Sequence, residues 1–124
     1  MTTNWIQMSH AADFSIEASC VDVSLRDGRK HRVEIIEQER EIVLHAFVVK
    51  KAVVKSLPDL PIEIWKRNRS VSLVTFRIDR KSRLIAECRV PTPGLTSEEF
   101  QFYLRTIAIE ADRLEFLLTG RDQE

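Results

Sequence analysis

The stretch 95–120 carries a full set of signals for one long helix, and that helix limits what the rest of the chain can be. Thr96 reads as the N-cap, and Glu99 three residues on completes a capping box. Leu95 and Phe100 have the spacing of a hydrophobic staple, and Gly120 supplies the stop. The enclosed helix runs for roughly 23 residues, on the order of 35 Å at 1.5 Å per residue. Phe100, Tyr103, Leu104, Ile107, Ala111, Leu114 and Leu118 recur at helical spacing and form its core stripe. A stripe of that length needs an equally wide apolar surface, and a sheet of about five strands provides it.

The sequence before the helix alternates as strands do. Residues 14–25 hold two alternating runs whose apolar parity flips between Cys20 and Val21, which predicts a bulged strand. Asp27-Gly28 between Arg26 and Arg29 predicts a two-residue hairpin turn, because a type I′ turn needs positive φ at both central positions. The second strand returns through Val33 and Ile35, and Glu37-Gln38-Glu39-Arg40 turns the chain into a third, Ile42 to Val49, apolar on both faces. Asp59 and Pro61 open a short helix to about Arg69, with Leu60, Ile64 and Trp65 toward the core. Val74, Phe76 and Ile78, then Leu84, Ala86, Cys88 and Val90, form a second hairpin around Asp79-Arg80-Lys81-Ser82. The expected fold is α+β: a twisted antiparallel sheet in the order strand-strand-strand-helix-strand-strand-helix, with the long C-terminal helix packed across one face. Residues 1–13 are a short helix or a flexible N-terminal segment.

At 124 residues, with 44% hydrophobic and 31% charged side chains, the chain has room for a single domain with one core. A chain of this size buries roughly two-thirds of its unfolded surface and needs no disulfide or structural metal to fold. Cys20 and Cys88 lack CxxC spacing and sit in apolar strand patterns, where a reduced cysteine acts as a small hydrophobe. No stretch approaches the ~18 apolar residues that cross a bilayer, and residues 1–13 lack the basic region and apolar run of a signal peptide. The expectation is a cytoplasmic protein with no membrane partner.

Chemical motifs are scarce. His10, His31 and His45 share no HxH, HxxxH or HExxH spacing, so no metal is expected. There is no GxSxG, P-loop or GxGxxG, and no cofactor is expected. The nearest approach to a catalytic set is Glu37, Glu39, Glu41 and His45, which a turn and strand alternation spread along an edge. Glu98 and Glu99 are explained by the preference of a helix N-terminus for acids. The chain reads as non-enzymatic.

The formal charge is zero, but it is arranged in blocks. Residues 50–90 carry 11 basic and 4 acidic side chains, flanked by segments of net −3 and −4. Lys66, Arg67 and Arg69, with Arg80, Lys81 and Arg83, define a possible anion-binding surface. Its alternative is a solvated face that complements the acidic C-terminal helix. The basic turns have no interleaved aromatics, which disfavours nucleic acid as a partner.

The long helix carries a second stripe. Phe102, Ile109 and Phe116 recur every seven positions and point nearly opposite to the core stripe. Either the N-terminal segment, with Trp5, Ile6 and Met8, folds over them, or they meet another chain. The outer face of the third strand, with Val43, Phe47 and Val49, raises the same question. The reading is a protein-interaction module, a homodimer with a protein partner, using these two apolar faces.

Residues 62–116 resemble the YbjN family, whose fold is related to that of type III secretion chaperones. The resemblance rests on Ile62-Glu63-Ile64-Trp65-Lys66-Arg67-Asn68, Val74-Thr75-Phe76-Arg77-Ile78-Asp79, Arg83-Leu84-Ile85-Ala86-Glu87, Val90-Pro91, Gly94-Leu95-Thr96-Ser97-Glu98-Glu99-Phe100 and Ala111-Asp112-Arg113-Leu114. It implies a small, non-enzymatic α+β domain in which homodimers are common, with chaperone-like binding of protein as an analogy of fold. The family begins with a helix ahead of the sheet, where this sequence enters its strands early.

Overall fold

The computed structural model describes residues 4–71 and 73–120. Apolar alternation builds one six-stranded antiparallel sheet from β1 (Phe14–Glu17), β2 (Cys20–Ser24), β3 (Lys30–Glu37), β4 (Glu41–Val49), β5 (Thr75–Ile78) and β6 (Leu84–Pro91), ordered β1-β2-β3-β4-β6-β5. Four helices accompany it: α1 (Trp5–Met8), α2 (Lys51–Ser56), α3 (Leu60–Ser70) and α4 (Ser97–Thr119). Helix α4 lies across one face of the sheet.

The caps of α4 form as the sequence predicts. Thr96 and Glu99 exchange both bonds of the capping box, and Gly120 closes the helix at φ 79°. Along the inner face Phe100, Leu104, Ile107, Ala111 and Leu114 are buried against Val21, Val33, Leu44, Ala46, Ala86 and Cys88. Leucine- and phenylalanine-sized side chains each contribute roughly 1.5 to 3 kcal/mol on leaving water, which makes this layer the main source of stability.

Several expectations change. The parity flip near Cys20 is a hairpin rather than a bulge: β1 and β2 pair up to Glu17 with Cys20, and Ala18 turns the chain at φ 54°. A sixth strand follows, and the signal was hidden because alanine occupies a position where glycine or asparagine is usual. The Asp27-Gly28 turn is a longer loop, with a 3-10 turn at Arg26–Gly28, Gly28 at φ 74°, and the Leu25 N–H donating to the Arg29 carbonyl at 2.7 Å. The single helix expected before β5 is two, because α2 forms ahead of Pro58. Trp65 faces outward, 59% exposed, with the Arg69 guanidinium 4.7 Å from its ring centre. Ile78 at the end of β5 is exposed as well.

Candidate interaction surfaces

The outer side of α4 is apolar and open among the described residues. Phe102, Ile109 and Phe116 are 57%, 39% and 49% exposed, and Leu117 beside Phe116 is exposed too. About 20° of helix rotation separates side chains seven positions apart, so the row runs nearly straight down one flank. Among the described residues, the N-terminal segment does not cover it. Trp5 enters the core instead, its Nε1–H donating to Glu37 at 3.3 Å, and the Gln101 amide donates to the Met8 carbonyl at 2.8 Å. Helix α1 is thus tied to the Gln101 flank, with Ile6 left exposed.

The outer face of β4 divides. Val43 is buried opposite Ile36 and Arg89, and Phe47 is exposed under the Arg83 guanidinium. Val49 is a correction: the register shifts between Phe47 and Val49, so Val49 pairs with Leu84 and joins the core. Around Phe47 the sheet surface holds a shallow cavity of about 510 Å³ with Cys20 and Ile85 in its floor.

The basic residues do not form one patch. Arg80, Lys81 and Arg83 line that cavity, whereas Lys66, Arg67 and Arg69 sit on α3. Arg83 grips Asp79 through two bonds of 2.9 and 2.7 Å. Burial works to raise the Asp79 carboxyl, but those bonds outweigh it and hold it below the usual range. Nearby, Arg32 binds Asp22 and Glu17, and Arg77 binds Glu87. Much of the positive charge on this face is therefore matched inside the chain.

The acid and histidine set is dispersed. Glu37 accepts from Trp5, Glu41 pairs with Arg89 at 2.6 Å, and Glu39 lies in the exposed turn. His45 bonds instead to Glu87 at 2.7 Å across the β4–β6 pair. Desolvation pushes the Glu87 carboxyl up, but His45 and Arg77 together bring it below its ordinary value. Burial, with the Glu87 charge, pushes the Cys88 thiol up to about 11, so it is an inert core group.

Two features escaped the sequence reading. Ile62 and Trp65 make a second exposed apolar surface on α3, which the helical pattern had placed partly in the core. The Asn68 amide donates to the Phe76 carbonyl at 3.0 Å and accepts from the Phe76 N–H at 2.8 Å. Asn68 therefore occupies the outer edge of β5 as a neighbouring strand would, which blocks edge-to-edge pairing there. No spacing in the sequence announces a side chain that imitates backbone.

The order of elements, a sheet backed by one long C-terminal helix with a short helix pair inserted before the last two strands, is the type III secretion chaperone-like fold. A chain of the ExsC–ExsE complex matches at 17% identity and TM-score 0.59, over 84% of this chain and 80% of that one. The ExoU–SpcU complex of the Pseudomonas aeruginosa type III secretion system matches at 12% identity and TM-score 0.59, over 93% and 95%. YbjN from E. coli shares the fold at 18% identity and TM-score 0.53, over 85% and 77%. No protein-family model and no curated protein matches the chain.

Proposed function

We propose that this protein is a non-catalytic, cytoplasmic protein-binding module that pairs with a second copy of itself through the outer face of α4. The carrying observation is the open row of Phe102, Ile109 and Phe116 on a helix whose other face is fully used. Covering two phenylalanines and an isoleucine contributes roughly 5 to 8 kcal/mol per protomer before ordering costs, at ~1.5 to 3 kcal/mol each, enough to matter for association. A two-fold axis across the row brings like residues together, as isologous dimers require. The Ile62 and Trp65 surface on α3 is separate from the row and leaves a place for a different protein chain. Similar folds in the ExsC–ExsE and ExoU–SpcU complexes are seen bound to protein partners, which supports this reading. Light scattering on the wild type and on Phe102→Glu with Phe116→Glu tests it. The expected result is a dimer that becomes a folded monomer. An unfolded variant, or one that keeps the wild-type mass, removes the row as an interface.

A further inference from the structure

Where β3 meets the C-terminal half of α4, three side chains remote in sequence converge. Asp112 and Glu115, three residues apart, share one side of α4 and face His31 of β3. One ring nitrogen of His31 and one carboxylate oxygen from each acid lie within 4.8 Å of one another. His31 is only 9% exposed, and its Nε2 lies 2.7 Å from the Phe47 carbonyl. A carbonyl can only accept, so Nε2 carries a proton, and Nδ1 is the nitrogen left for a ligand. The β3–β4 ladder ends at Val33 and Ala46, and the imidazole takes the Phe47 carbonyl just beyond it. An imidazole anchored through one nitrogen to a backbone carbonyl, with the other free to bind, has the orientation of a metal-ligating histidine. The Arg29 guanidinium grips Asp112, which orients that carboxylate and offsets part of its charge.

An imidazole nitrogen and two carboxylates share the corner, with the Arg29 guanidinium on Asp112 beside them. We propose that His31, Asp112 and Glu115 bind one divalent transition metal, zinc by ligand chemistry, which pins the C-terminal half of α4 to β3. One imidazole nitrogen and two carboxylate oxygens leave a fourth tetrahedral position for water. Bonds of about 2.0 to 2.2 Å set the ligand atoms on the order of 3.4 Å apart, so side-chain rotation of about 1 Å closes the set. No short motif marks it because the ligands come from a strand and a helix at opposite ends of the chain, and this revises the metal-free expectation. It is independent of the dimer.

The test uses the full chain, stripped with a chelator and titrated with zinc against a chromophoric competitor. The expected result is one zinc per chain, tight enough to raise the melting temperature, and weaker at acid pH because protons compete for the ligands. His31→Gln should weaken binding on the order of 100-fold, and Asp112→Asn and Glu115→Gln about tenfold or more each. His45→Gln should bind as the wild type does. Should His31→Gln fail to fold, the two acid substitutions, which sit on the capped helix, carry the same comparison. Failure of the wild type to take up stoichiometric zinc overturns the proposal, as does undiminished binding in the His31→Gln and acid variants or loss in His45→Gln.

Discussion

Phe100 and Phe102 are two residues apart on the same helix, and they have opposite surroundings. Phe100 is fully buried under the sheet, while Phe102 is more than half exposed. The same side chain therefore supplies folding energy in one place and leaves an uncovered apolar surface in the other. A helix can afford such a second face only if the first alone holds it in place. Here the inner stripe of α4, the capping box and Gly120 do so. The outer row is free to be selected for association.

The contrast is broken most forcefully by Phe100→Ala, expected to cost about 3 to 5 kcal/mol because a cavity opens in a closed layer. Phe102→Ala should leave the stability of the monomer within about 0.5 kcal/mol. Urea unfolding of both variants, read by circular dichroism at concentrations low enough to keep the chains monomeric, measures the difference, and equal losses would mean that the two faces are both core. Thr96→Ala is expected to cost about 1 kcal/mol by removing the cap, with the oligomeric state unchanged. A change in mass without a change in stability would contradict the division of roles.

The smallest effect lies on the flank between the faces. Arg105 of α4 binds Asp13 at 2.7 and 3.0 Å, and this bond, opposed by some desolvation, holds the Asp13 carboxyl below its ordinary value. A depressed carboxylate stabilises the fold above the unfolded value of about 3.9, and that contribution is lost as pH falls through the folded value. Asp13→Asn should flatten the acid limb of the stability curve slightly. Glu115 has the opposite sign: its raised carboxyl favours the fold at low pH, and that contribution is lost as pH rises through the folded value. Glu115→Gln in the metal-free protein should therefore remove a penalty near neutrality, visible in melting temperature against pH.

What could be read from sequence follows from how local each signal is. The limits and both faces of α4 depend on spacings of three, four and seven, so they were legible to the residue. Strand alternation was legible as well, except where the turn at Ala18 and the register shift before Val49 change parity without a glycine. Trp65 was misplaced because a large aromatic at helical spacing looks like core, whereas Arg69 shields it at the surface. That the α4 row points away from the core could be inferred from its angle alone, but its exposure could not, because the place of Trp5, Ile6 and Met8 was open. Nor could the Asn68 lock on Phe76 and the His31, Asp112 and Glu115 cluster, since both depend on which strand lies beside which helix.

The central claim is that the outer face of α4 joins two copies, and concentration dependence tests it most directly. Unfolding coupled to dissociation shifts with protein concentration by mass action, while the unfolding of a monomer does not. The urea midpoint of the wild type should rise across a hundredfold increase in concentration, and that of Phe102→Glu with Phe116→Glu should stay fixed. A wild-type midpoint independent of concentration, or a variant that shifts as the wild type does, would contradict the account.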